Sequence, residues 1–223
     1  MRYLKNYKNS DIKIERLEVL RYLAYRKEEK EISPKIKEII EHQIDLAYSL
    51  IEPRGIYSLF DNNSLKEHYI FKDAQKIAFG ICTIGSILEK KVEECFIKGE
   101  YLEGLVLDAV GTVAVESLAE LINAEINEKA SEMGFRISRR LSPGQRNWQL
   151  DGQYLIFKHF NDETLGIKIN ESFMMVPRKS ISFAHKLSKK RMEEINLEDC
   201  QYCDLYKHCA YSKGYKERKN SIL

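Results

Sequence analysis

Three cysteines near the end of the sequence, Cys200-x2-Cys203-x5-Cys209, carry its plainest chemical signal. Thiolates are soft ligands, and three in so short a span suit a tetrahedral zinc site or an iron–sulfur cluster. Spacing does not separate the two, nor does it fix a fourth ligand. His208, His185, Cys82 and Cys95 are candidates, or the position stays open; three unliganded thiols are the plain alternative. The second candidate is a cationic turn. Arg140 precedes Pro143-Gly144 in the stretch RRLSPGQRNWQLDGQ, Arg139–Gln153. Proline presets one backbone angle and glycine permits the positive φ of a tight turn. A guanidinium fork and backbone amides gathered there suit a carboxylate, a phosphate or the polar end of a metabolite. A solvated arginine on a surface turn is the plain alternative. The third candidate is a pair of carboxylates, Asp108 and Glu116, about two helical turns apart and so nearly on one face. Buried carboxylates need partners, which a structural ion pair or a bound ligand would supply. No His/Cys or Ser/His arrangement suggests nucleophilic or acid–base chemistry, so no catalytic residue is expected.

The elements that must position these groups read mainly as helices. Leu17, Leu20 and Ala24, with Val19 and Leu23 beside them, have helical spacing. Ser33-Pro34 starts a second helix, with Ser accepting an orphan N–H and Pro at the first helical position. Ile36, Ile39, Ile40, Ile44, Ala47 and Ile51 form its apolar face, and Pro53-Arg54-Gly55 ends it. Gly55–Phe60 and Ile77–Thr83 read as strands, the second apolar on both faces and so interior. Cys82 in it is a buried small hydrophobe. Gly85-Ser86 opens a helix through Ile97, with amides free at its start for a ligand. Tyr101–Met133 is the longest helical pattern and Gly134 its stop. Its middle is apolar nearly all round, which predicts a central buried helix. Phe135–Ser138 is strand-like and leads into the Arg140 turn, where Trp148 is an anchor in the core. A short helix runs from near Asp151 to Phe160, and Thr164–Ile169 and Ser180–Phe183 read as strands. Between these two strands Met174-Met175 is core filler or the lining of a groove. The fold class expected is α+β: a mixed or antiparallel sheet covered by helices, with a long central helix and a Cys-rich C-terminal tail. Residues 1–185 form one domain and 186–223 the tail, where KLSKKR begins a compositional shift.

The chain has 223 residues, 43% of them hydrophobic, enough for a proper core. Charge is nearly balanced, 36 basic against 34 acidic residues for a formal +2, which argues against a nucleic-acid binder. No signal peptide is read at the N-terminus. The most apolar window, Leu102–Ile122, carries Glu103, Asp108, Glu116 and Glu120, against a membrane span. Five cysteines without an export signal read as reduced thiols, so the expected location is cytoplasmic.

Five pieces in order carry a family resemblance. They are LEVLRYLAY at Leu17–Tyr25, CTIG at Cys82–Gly85 and DAVGTVAVESLAE at Asp108–Glu120. Arg-x-x-Pro-Gly at Arg140–Gly144 and ESFMMVPRKSIS at Glu171–Ser182 follow. Together they resemble the activation (reactivation) domain of cobalamin-dependent methionine synthase, and more closely its short stand-alone bacterial versions. The likeness covers roughly residues 15 to 185. It implies S-adenosylmethionine (AdoMet) bound at the turn, its carboxylate gripped by Arg140. The backbone of Leu141 and Ser142 meets the ligand, Gly144 shapes the turn, and Glu116 adds a polar contact. Met174, Met175 and Pro177 face the corrinoid. Gln145 departs from the family, where a Tyr follows Pro-Gly. The implied function is reductive methylation of inactive cob(II)alamin on a partner, methionine synthase or another corrinoid protein. The module holds the sulfonium methyl over the cobalt while an electron arrives, from a flavodoxin- or ferredoxin-type donor. The alternatives are a corrinoid-protein scaffold that does not use AdoMet, or an iron–sulfur electron-transfer partner.

Overall fold

The structure, a computed structural model, describes residues 1–25, 32–145, 148–161 and 163–190. In chain order these form β1 (Arg2–Asn6), α1 (Arg16–Tyr22), α2 (Pro34–Leu50), β2 (Arg54–Asp61), β3 (Lys76–Thr83), α3 (Ile87–Ile97) and α4 (Tyr101–Glu132). Then come β4 (Arg136–Ile137), α5 (Gln153–Phe160), β5 (Lys168–Ile169), β6 (Met175–Val176) and β7 (Ser180–Ser188). Five strands make one antiparallel sheet in the order β1-β2-β3-β7-β4, and β5 and β6 pair as a small hairpin. The fold is α+β, with the long helix where the sequence puts it.

Alternation along the strands assigns each side chain to one of two cores, because successive residues point to opposite faces. Ala78 and Cys82 of β3, with Phe183 and Leu187 of β7, join the core shared with α4, α1 and α2. Ile77, Phe79 and Ile81, with Ala184, join the other core, built with Phe71, Trp148 and α5. That explains the continuous apolar run of β3, which is buried on both faces. The helix α4 is buried almost all round because it lies between the sheet and the other helices.

Most expected elements stand, and the departures have local causes. Ser33 caps α2, its hydroxyl accepting from Ile36 N. In α1 Val19 and Leu20 are buried, but Leu17 lies outside the core face and is exposed. The expected strand Thr164–Ile169 shrinks to β5, since Leu165 and Gly166 both have positive φ (58° and 77°) and form a turn. The strand expected to end at Phe183 continues to Ser188, past the boundary set at 185. The amide of Gly85 is not free for a ligand, since it donates to Thr83 Oγ1 at 3.1 Å. Among the described residues no helix is long and apolar enough to cross a membrane.

Candidate functional site

The Arg140 turn is an extension of the sheet edge. β4 pairs with the end of β7, the Ser138 amide donates to Lys186 O, and Leu141 and Ala184 exchange both backbone bonds at 2.9 and 2.8 Å. The chain then turns: Gly144 N donates to Trp148 O at 2.8 Å, and Gln145 N to Ser142 O at 3.1 Å. Gly144 has φ +82°, which favours glycine, and a Cβ there would also press on Leu150 Cδ1, the movable end of that side chain, at 2.9 Å. Trp148 is buried, with its ring edge-on to Phe71, and anchors the turn as expected.

Two of the site residues read from the sequence meet. Arg140 Nη2 donates to Glu116 Oε2 at 2.6 Å, and Nη1 lies 3.7 Å from Glu120 Oε1. The Arg140 side chain is only 14% exposed, and its Nη1 is buried with no hydrogen-bond partner. Burial works against the Arg140 charge, but the Glu116 carboxylate outweighs it and the pKa is raised. Cys82 lies near the pair. Burial first, and then Glu116, push its thiol up to about 12, against the pull of Arg140. It stays a neutral filler, as a buried cysteine usually does. Tyr22 of α1 is also close enough for Glu116 to raise its pKa, after burial.

Asp108, the other carboxylate of that helix, does not join them. Lys179 Nζ holds it at 2.9 Å and donates to Thr112 Oγ1 at 2.8 Å, so Asp108 belongs to a structural knot. The Lys179 amide also donates to Glu89 Oε1 at 2.6 Å, and Arg178 lies near Glu89 and Glu93. This knot fixes the start of β7 and the segment leading into it. In that segment Met174 and Val176 are half exposed, Pro177 is partly exposed, and Met175 packs on the second core. The Arg140 turn pairs at Ala184, about 13 Å along β7 from its start at the rise of an antiparallel strand.

Backbone groups at the turn are mostly engaged. Leu141 uses both its N–H and C=O on Ala184, and Gly144 uses its N–H on Trp148. Two more residues matter: His185, read from the sequence only as a candidate fourth metal ligand, and Lys186, to which no site role was given. His185 lies on the α4 face of β7, with Nδ1 2.7 Å from Ser138 O and Nε2 2.9 Å from Asn123 Oδ1. Lys186, next along, lines a cleft of about 260 Å3 that the turn itself borders through Arg139, Arg140, Leu141, Ser142 and Gln145, with Tyr69, Ile70 and Trp148 as its other walls. The period of two along β7 separates these residues, but only once the strand is known to run past Phe183.

Cys200, Cys203, Cys209 and His208 lie outside the described residues. Among the described residues no group of three or more His, Cys, Asp or Glu side chains is placed to hold a metal ion.

No model of a known protein family matches the chain, and no curated protein matches it. Among solved structures it is similar to the crystal structure of the MetH reactivation domain bound to AdoHcy. The TM-score is 0.64 at 13% sequence identity, over 86% of this chain and 80% of that one. At that identity the likeness is one of fold: this chain shares the architecture of the reactivation domain.

Proposed function

We propose that the protein is an AdoMet-binding reactivation subunit that supports reductive methylation of cob(II)alamin on cobalamin-dependent methionine synthase. One observation carries the reading. Arg140 and Glu116, drawn from two separate motif pieces, converge at the turn that this fold presents, with one guanidinium nitrogen lacking a hydrogen bond. A guanidinium beside a carboxylate matches the amino-acid end of AdoMet: carboxylate to Arg140, cationic groups to Glu116. Ligand entry exchanges Glu120, which is ion-paired but not hydrogen-bonded, for the ligand carboxylate at Nη1. Ser142 and Gly144 border the ligand, and Leu141 does so by packing, since its amide and carbonyl are engaged. Met174, Met175 and Pro177 face the corrinoid. The exposure of Met174 and the partial exposure of Pro177 support this, because a docking surface must be reachable by the partner. The protein's task is positional, and the electron comes from a flavodoxin- or ferredoxin-type donor.

Calorimetric titration with AdoMet, alone and with a corrinoid-loaded methionine synthase domain, is the test. Saturable binding is expected, weakened by roughly 2–4 kcal/mol in Arg140→Ala, the scale for losing a charge-paired anchor. Binding unchanged in that variant would move the ligand elsewhere. A second reading, a corrinoid-protein scaffold without AdoMet, is favoured by Arg140 already having Glu116 and Glu120 as partners. Corrinoid-domain binding with no AdoMet heat would establish it.

A further inference from the structure

The helical hairpin of α3 and α4 ends in an apolar tip that the other described elements leave uncovered. Ile97 is 85% exposed and Tyr101 67%, with Phe96, Leu102 and Leu105 exposed beside them. These five side chains form one surface. The Phe96 ring lies against Gly104, where a Cβ would be 3.4 Å from Cε1, and its centroid is 6.3 Å from that of Tyr101. Tyr101, Gly104 and Leu105 share one face of α4, at spacings of three and four, and Leu102 lies three residues before Leu105. Ile97 ends α3, and Gly99, at φ +78°, helps turn the chain into α4. Single apolar side chains on a surface are ordinary, but a contiguous group of large ones marks an interaction site.

The charges around the tip indicate what covers it. Lys91 is tied to Glu94 at 3.2 Å, and Glu93 lies 3.6 Å from Arg178. Lys98, Glu100 and Glu103 make no ion pair among the described residues. A partner of one sign would meet like charge at either the cation or the anions. A second copy, turned about a twofold axis, brings Lys98 to the acidic start of the other α4, and does so twice, because a twofold contact is made reciprocally. Two antiparallel helices with an apolar face also pack on an identical pair as a four-helix bundle. An aromatic pair among aliphatic anchors, with charges at the margin, is the composition of an interface centre and its rim.

We infer that this tip is a homodimer interface. Two copies join about a twofold axis, α3 of one along α4 of the other. Phe96, Ile97, Tyr101, Leu102 and Leu105 form its apolar centre, and Lys98 faces Glu103 of the partner subunit. The inference does not depend on AdoMet binding at the Arg140 turn.

Sedimentation equilibrium of the whole protein, from about 1 to 100 μM, is the test. A reversible dimer is expected. Ile97→Glu changes the most exposed of the five, so it should weaken association roughly tenfold or more while leaving the circular dichroism spectrum unchanged. Lys98→Glu and Glu103→Lys should each weaken it, and the two together should restore it. A monomer throughout that range, a mass beyond two chains, or a dimer that Ile97→Glu leaves intact overturns the inference. Two charge variants that fail to restore association together overturn the α3-to-α4 arrangement and the interface with it. A monomer that binds a corrinoid-loaded methionine synthase domain, and loses it in Ile97→Glu, gives the tip to that partner and also overturns the inference. A dimer that behaves as expected but binds no AdoMet leaves the interface standing while the proposed function falls.

Discussion

Arg140 and Glu116 are unequal members of their pair. The arginine is nearly buried, while the glutamate side chain is 37% exposed and can be hydrated when alone. Glu116→Ala therefore strands a buried cation, and is expected to cost about 1–3 kcal/mol in urea denaturation. Arg140→Met leaves a carboxylate that water can reach and fills the same channel, so it should cost less. The reverse order would mean that the pair contributes little and packing dominates. His159 gives a second test at this scale. Its Nε2 is 2.7 Å from Ser58 Oγ, and its ring stacks on Phe60 with centroids 4.2 Å apart. Burial, then Arg2 and the amino terminus, lower its pKa. The unfolded chain, with an ordinary imidazole near 6.5, then takes up the proton first. Stability is full above that value and declines as pH falls below it toward the folded pKa. The urea midpoint should drop between about pH 7.5 and 5.5, and His159→Gln should flatten part of that drop. An identical decline in the variant would assign it to other groups.

Among the elements, β3 is the most constrained, and one residue shows why. A Cβ on Gly80 would lie 2.4 Å from Phe183 Cζ, and two more ring atoms are within 3 Å, so the ring covers the bare α-carbon of its neighbour. Gly80→Ala should cost about 1–3 kcal/mol, the scale of overpacking a full core. Adding Phe183→Leu should recover part of it, and a double mutant worse than either single would refute the steric account. The same strand shows what the sequence makes legible. Its apolar run, the Ser-Pro start of α2 and the Gly134 stop of α4 are local signals, and each marks the real element. β1 carries no such signal. RYLKN is exposed along most of its length because it is an edge strand, held by β2 rather than by an apolar face. β6 is equally silent, two residues recognisable only beside β5. At the site, Arg140 and Glu116 are legible as motif members, but their contact is not. It depends on β4 pairing with β7, a contact between segments some fifty residues apart. The cleft is less legible still, since Tyr69 and Lys186 share nothing in sequence and meet only across the α5 face.

Taken whole, the described residues form a closed body. β7 is paired on both sides, and cores lie on both faces of the sheet, reaching Leu187. The cysteines at 200, 203 and 209 lie beyond that body in sequence, so a metal there is proposed as a separate centre with its own folding energy. Thiolate–metal bonds supply order where apolar residues are few, and their stability is lost with the metal. Elemental analysis and a visible spectrum of anaerobically purified protein should show one zinc or one iron–sulfur cluster per chain. Cys200→Ser, Cys203→Ser and Cys209→Ser together should abolish it. The same triple variant should keep the wild-type melting temperature of the body to within about 2 °C, under the roughly 4–8 °C that a core defect of about 2 kcal/mol gives at this size. A colourless zinc protein makes the centre structural and removes electron relay from its roles. A brown protein bleached by dithionite makes relay to a corrinoid partner chemically available. Metal that persists in the triple variant would place the site among other ligands. A body that melts much lower in that variant would show the tail to be part of the core after all.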